Sequence, residues 1–155
     1  MSADFSSNSA QPVEFWQGIE QFNQGDYYAC HDTLEAIWME AKTSDKGFYQ
    51  GILQIAVGLY HLSNLNWKGA AILLGEGSHR LHAYGDLYGG IDLADLSDQA
   101  MDWLRALQTT GPDQVHRLAG VLSNQSAENY ADDNENKLSI PTIQTTRSDT
   151  ASLEL

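Results

Sequence analysis

The chain has 155 residues, of which 42% are hydrophobic, and a formal net charge of −13 at pH 7. This length suits a single domain, and the apolar fraction is large enough to bury a core. Only eight lysine and arginine residues are spread along the chain, so no basic surface is available to neutralise phosphates. The composition therefore excludes nucleic acid and anionic membrane surfaces as expected partners.

The cysteine content and the first residues favour the cytoplasm. Cys30 is the one cysteine of the sequence, so an internal disulfide framework cannot form. The opening stretch MSADFSSNSAQPVEF has neither the basic region nor the apolar region of a signal peptide. The longest apolar stretch, GILQIAVGLYHL, is shorter than the roughly 20 residues that a membrane span requires. We therefore expect a cytoplasmic protein without a membrane segment.

Apolar residues recur at helical spacing from the first turn signal onward. Pro12 suits the first turn of a helix over residues 12–23. Asp26 is placed to cap a second helix, which ends near Lys42. A third helix over residues 46–65 is apolar on almost all sides. A helix of that kind is predicted to lie at the centre of the fold.

The helical pattern continues through the next part of the chain. A fourth helix is predicted from Asn66 to about Tyr84, a fifth over residues 93–108 and a short sixth over residues 113–122. The stretch YGDLYGGID separates the fourth helix from the fifth. It is predicted as a break, and no strand is predicted in the chain.

These elements predict an all-α fold, a bundle of five to six helices built on two antiparallel helical hairpins. The main domain is predicted over residues 12–110, and an additional short helix falls within residues 111–122. Residues 123–155 are predicted to form a flexible acidic and polar tail, because they contain few large apolar residues. Within this tail, the stretch LSIPTI is the candidate patch for binding a partner.

Three motifs between Glu14 and Tyr84 read FNQGDYYACHDTLEAIW, FYQGILQIAVGLYH and NLNWKGAAILL. They resemble the motifs of an uncharacterised bacterial and archaeal family catalogued as domain of unknown function 309. Asp32 stands where that family usually has Glu, and Cys30 where it tends to have Ala. The resemblance implies an all-α fold and brings no established reaction. The family pattern falls on His31, Glu35, Trp38, Gly51, Gln54, His61, Gly69 and Ala70.

The second helix carries His31, Asp32 and Glu35 within an apolar pattern. Ideal helical geometry places His31 inside the apolar stripe, Glu35 at its border and Asp32 outside it. A buried imidazole needs a hydrogen-bond partner, and Glu35, one turn further on, is the local candidate. Gln50, Gln54 and His61 form a polar strip on the third helix. If that strip faces the second helix, the two sets share one polar pocket. The candidate pocket residues are His31, Glu35, Trp38, Gln54 and His61.

Three interpretations of these residues stay open. In the first, His31 and Glu35 form a buried pair that fixes the packing of the helices. In the second, the protein is a binding or interaction module whose inter-helix pocket takes a protein or a small molecule. In the third, it is a divalent-metal-dependent hydrolase, with metal ligands His31, Glu35 and His61. We take the binding module as the predicted function and the hydrolase as the alternative.

The sequence contains no motif that is specific for a catalytic mechanism. Cys30 belongs to the apolar stripe of the second helix, which favours a small buried side chain over a nucleophile. No cofactor is expected for the binding module, and a divalent metal is expected under the hydrolase alternative.

Overall fold

The structure, a computed structural model, describes residues 11–124 and 138–146. Its helices follow the predicted order and confirm the all-α bundle. Two short 3-10 turns, His82–Tyr84 and Pro112–Gln114, lie between the α-helices. The α-helices in this part of the chain are α1 Val13–Asn23, α2 Tyr27–Glu40, α3 Thr43–Ser63, α4 Trp67–Leu81, α5 Leu93–Thr110 and α6 Val115–Asn124.

The turn between α2 and α3 is tighter than the sequence predicts. Ala41 and Lys42 both have extended backbone conformations, with ψ angles of 157° and 149°. These two residues end one helix and begin the next, so α3 starts at Thr43, earlier than the predicted residue 46. Asp45 lies in the first turn of α3, where a negative charge is favourable next to the helix N-terminus.

A two-stranded hairpin precedes α5, and the prediction that the chain contains no strand is wrong here. β1 (Leu87–Tyr88) pairs antiparallel with β2 (Ile91–Asp92). Gly89 and Gly90 between them have φ angles of +63° and +89°. Glycine adopts this left-handed region without steric cost, which suits a two-residue hairpin turn. The Gly-Gly pair was the signal for the hairpin in the sequence.

Helix α3 is the centre of the bundle, as its apolar surface predicts. It packs against α2 on one side and α4 on the other, and α6 returns against it. Glycines bring α3 and α4 close together: a Cβ atom added to Gly51 would lie 2.6 Å from Leu81 Cδ2. A Cβ atom added to Gly77 would lie 2.8 Å from the carbonyl oxygen of Gly51. Any larger side chain at either position would push the two helices apart.

The apolar side chains of the helices form one core, to which α6 also contributes. Hydrophobic burial therefore ties the additional short helix to the main domain. Within residues 11–124 and 138–146, none of the helices combines the length and the apolar character that a membrane crossing requires.

Residues 138–146 form an extended segment, named the strap here, that packs on the bundle. Leu138 and Ile143 are 5% and 2% exposed, and Ile91 of β2 forms an antiparallel bridge with Thr145. The strap differs from the flexible tail predicted over residues 123–155, because the apolar side chains of LSIPTI are buried against the helices. Residues 123 and 124 of the predicted tail belong to α6, and residues 125–137 and 147–155 lie outside the described residues.

Leu59 tests the central position of α3, because its side chain is only 1% exposed. We expect Leu59→Ala to lower the free energy of unfolding by about 2–5 kcal/mol, since the truncated side chain leaves a cavity. Urea denaturation followed by circular dichroism measures the change. Glu20→Ala, at an exposed position of α1, is the control and should stay within about 0.5 kcal/mol of the wild type. Equal midpoints for the two variants would contradict the placement of Leu59 in the core.

Candidate functional site

His31, Asp32 and Glu35 lie together on α2. Each offers one donor atom, and the three atoms all lie within 4.8 Å of one another. His31 and Glu35 are one helical turn apart, which places them on the same face. The side chains of His31 and Asp32 are 24% and 59% exposed, and Glu35 is exposed as well. We name these three residues the donor group, because an imidazole and two carboxylates are typical ligands of divalent cations.

The hydrogen-bond partner of His31 differs from the predicted one. Its Nδ1 atom lies 3.2 Å from Asp32 Oδ1, whereas the sequence predicts a buried pair with Glu35. The difference follows from exposure, because His31 stands at the border of the buried stripe and its ring can turn along the helix towards Asp32. Ideal helical directions describe where a side chain leaves the backbone and not where its polar end lies.

A row of aromatic rings leads from His31 to α3. The ring centroids of Tyr28 and His31 are 6.0 Å apart, and those of Tyr28 and Tyr60 are 5.1 Å apart. Tyr60 is followed by His61 at 6.3 Å. The two histidines are thus linked through tyrosine rings, and His61 lies outside the donor group.

His61 contacts the start of α4. The Asn66 side-chain amide donates to His61 Nδ1 over 3.3 Å, and Asn66 Oδ1 accepts from the backbone N–H of Gly69 over 2.9 Å. A Cβ atom added to Gly69 would lie 2.9 Å from His61 Cδ2. Gly69 therefore leaves the space in which the imidazole lies against the first turn of α4. This arrangement connects the second and third motifs of the sequence.

Gln54 has its hydrogen-bond partner on the same neighbouring helix. Its Oε1 atom accepts from Arg80 Nε over 3.1 Å, which ties α3 to α4. Among the residues that the structure describes, no hydrogen bond joins Gln54 or His61 to His31 or Glu35. Within the described residues, hydrogen bonds therefore do not join the polar residues of α2 to those of α3, as they would in a shared polar pocket.

Trp38 lies at the turn between α2 and α3. Lys46 Nζ stands 4.6 Å from the centroid of its ring and donates to the Trp38 carbonyl oxygen over 2.6 Å. A cation over an indole face is stabilised by the charge distribution of the ring. The Nε1 atom of Trp38 is buried without a hydrogen-bond partner in the described ranges. The contacts of Trp38 thus order the turn and do not extend to the donor group.

A cleft of about 830 Å³ opens beside the aromatic row. Tyr28 and Tyr60 line one part of it, and Ile140 of the strap lines another. The volume lies in the range of small-molecule sites. Sequence reasoning missed this cleft because its walls come from helix ends and from the strap, which are far apart in the chain. No local spacing pattern connects them.

Cys30 precedes His31 but lies on the core side of α2, where it is 0% exposed. Burial, together with the nearby negative charge of Asp26, raises the pKa of the Cys30 thiol to about 12. The thiol therefore stays protonated at neutral pH and is a poor nucleophile. This confirms the prediction of a small buried side chain.

The fold defines a class: small all-α proteins built of antiparallel helical hairpins. Residues 15–73 match the family model described as "Domain of unknown function (DUF309)". The match confirms the resemblance of the three motifs. It covers α1 from its third residue, α2, α3 and the first part of α4, and it includes all the candidate pocket residues.

A curated protein is similar over the same part of the chain. It is the "Uncharacterized protein YpuF" of Bacillus subtilis, which is 37% identical over 59 residues. These residues make up 37% of this chain and 34% of that protein. The chain therefore spans about a third of the length of this relative.

The buried thiol gives a prediction for the native protein. At pH 8, a pKa of about 12 leaves about one thiol in 10,000 as thiolate, and the side chain is also shielded from reagents. We expect no reaction with Ellman's reagent in the folded chain within an hour. In guanidinium chloride the same thiol should react within minutes, which is the control. Rapid labelling of the folded chain would contradict the burial of Cys30.

Proposed function

We propose that this chain is a small helical binding domain that takes up a divalent cation at His31, Asp32 and Glu35. The observation that carries the proposal is the grouping of one imidazole and two carboxylate donors within 4.8 Å. Ligands that bind one cation at about 2.1 Å can be at most about 4.2 Å apart. The donor atoms therefore need only a small approach, which the exposed Asp32 and Glu35 side chains can make by rotation.

The donor chemistry favours a particular group of cations. Calcium and magnesium prefer all-oxygen ligands, whereas an imidazole nitrogen favours transition-metal ions and zinc. One nitrogen with two carboxylates therefore suits zinc, manganese or cobalt. The net charge of −13 raises the local concentration of any cation around the protein.

The surroundings of the donor group support a second, small ligand beside the cation. Three protein ligands leave coordination positions open to water or to an anionic group. The ring of Tyr28 contacts His31 on one side and lines the cleft of about 830 Å³ on the other. In this proposal, a small molecule in the cleft extends a carboxylate or phosphate past Tyr28, which contacts both His31 and the cleft, to the open positions of the cation. The cation then fixes the polar end of the ligand, and the aromatic row contacts the rest.

Hydrolysis is the second candidate function, and the same open positions favour it. A water molecule on a divalent cation loses a proton more easily and becomes a nucleophile near neutral pH. If the protein is a hydrolase, turnover of a nitrophenyl ester or phosphate should require the added metal and stop with a chelator. Turnover that survives both the chelator and Glu35→Gln would exclude this role for the donor group.

Calorimetric titration of the chelator-treated chain with zinc or manganese tests the cation site. We expect a single ion per chain. Glu35→Gln and Asp32→Asn should each weaken binding by at least about tenfold, because a neutral amide replaces a carboxylate ligand. His61→Ala should bind as the wild type does, since His61 lies outside the donor group.

Glu40→Gln is the matched control, because it removes the same charge from an exposed position of α2. If it weakened binding as much as Glu35→Gln, the ion would be attracted by general charge and the proposed site would be excluded. If His61→Ala abolished binding while Asp32→Asn had no effect, the ligands would be His31, Glu35 and His61, and the proposed set would be wrong.

A further inference from the structure

The strap lies against α1, α5 and β2, and side chains of the bundle bind its main chain. Gln99 of α5 donates from Nε2 to the Thr142 carbonyl over 2.8 Å and accepts from the Thr142 N–H over 3.0 Å. Asn23 of α1 donates from Nδ2 to the Ile143 carbonyl over 3.1 Å and accepts from the Ile143 N–H over 2.6 Å. Each amide side chain thus pairs with both polar groups of one strap residue.

Further hydrogen bonds to the main chain hold the strap before and after Thr142 and Ile143. Trp103 Nε1 donates to the Ser139 carbonyl over 2.9 Å. The N–H of Asp92, in β2, donates to the Gln144 carbonyl over 2.9 Å. None of these bonds depends on the strap side chains. The bundle therefore recognises an extended backbone as such.

A few strap side chains add selectivity. Leu138 and Ile143 are almost fully buried, and Pro141 between them is buried as well. Ser139 and Gln144 point outward and are exposed. The pattern is Leu-x-x-Pro-x-Ile, in which the buried positions are Leu138, Pro141 and Ile143. Main-chain hydrogen bonds combined with a few side-chain pockets are the way in which peptide-binding domains recognise extended segments.

We propose that the surface under the strap is a peptide-binding groove, in which the strap is the resident ligand. The ligand that the groove binds from outside is an extended segment of another protein. This segment has the pattern Leu-x-x-Pro-x-Ile, and its outward side chains are basic. The net charge of −13 favours such a partner, because basic side chains on the ligand are attracted to the acidic protein as a whole. A second copy of this chain would instead add another net charge of −13, which opposes its approach.

The strap competes with any ligand that arrives from outside. A ligand tethered to its own site has an effective concentration of the order of millimolar. The partner segment therefore binds appreciably only when the strap is released or outcompeted. Cutting the chain between the bundle and the strap removes this advantage and makes the groove measurable.

The experiment uses the full chain with a protease recognition sequence inserted between residues 130 and 131. After cleavage, size-exclusion chromatography under dilute conditions removes the released fragment. Fluorescence anisotropy then measures binding of a labelled peptide with the sequence LSIPTIQTT. We expect the cut chain to keep its helical circular dichroism and to bind the peptide at least about tenfold more tightly than the uncut chain.

Variants test whether the strap contacts carry this binding. Gln99→Ala and Asn23→Ala each remove two hydrogen bonds to the peptide backbone and should weaken binding about tenfold. Gln108→Ala, at an exposed position of the same helix as Gln99, is the matched control and should bind as the parent does. A peptide carrying Ile143→Asp should not bind. A peptide carrying Gln144→Lys should bind more tightly at low salt than one carrying Gln144→Glu.

Several outcomes would overturn the proposal. If the cut chain lost its helical signal when the fragment was removed, the strap would be part of the folding core and not a ligand. Absence of peptide binding to a folded cut chain, or equal effects of Gln99→Ala and Gln108→Ala, would exclude a peptide site. A dimer of the uncut chain that dissociates on cleavage would assign the groove to a second copy. Tighter binding of the Gln144→Glu peptide would exclude a basic partner.

Discussion

The close packing of α3 against α4 is the constraint on which the rest of the structure depends. Gly51 and Gly77 face each other where any side chain would collide with the opposite backbone or with Leu81. At this short distance, the polar residues of α3 find their partners on α4: Gln54 meets Arg80, and His61 meets the cap of α4. These residues are therefore occupied in joining helices. With one side of α3 fixed in this way, α2 packs against its other side and leaves the donor group exposed.

The packing of α3 between α2 and α4 explains why some residues of the family pattern join helices while others are exposed. Gly51, Gly69, Gln54 and His61 act between α3 and α4, where their sizes and hydrogen bonds fix the helix spacing. His31 and Glu35 make no comparable contacts with a neighbouring helix in the described ranges, and they lie where solvent reaches them. Exposed polar residues contribute little to stability. The proposed cation site therefore uses the exposed polar residues of α2, whereas the polar residues of α3 have partners on α4.

The sequence predicts the helices well because the buried residues of a helix recur every three to four positions along the chain. The hairpin before α5 and the strap are not predicted by such spacing, and the reason differs between them. The hairpin strands are two residues long, too short to show alternation, and only the Gly-Gly pair marks them. The strap is extended, and its partners Asn23 and Gln99 are distant in the chain, so no local pattern reveals them. The same limit affects the site: helical direction predicts that His31 and Glu35 share a face, but the bond to Asp32 depends on side-chain rotation.

The strap contacts both the cleft beside the donor group and the groove on α5. Ile140 lines the cleft that Tyr28 and Tyr60 also line, while its neighbours Ser139 and Thr142 are held by α5. If a partner segment replaces the strap, the residue at the position of Ile140 changes, and with it one wall of the cleft next to the donor group. A coupling free energy between two sites acts equally in both directions. A ligand in the cleft that contacts Ile140 would therefore stabilise the strap in its groove, and release of the strap would weaken that ligand by the same factor.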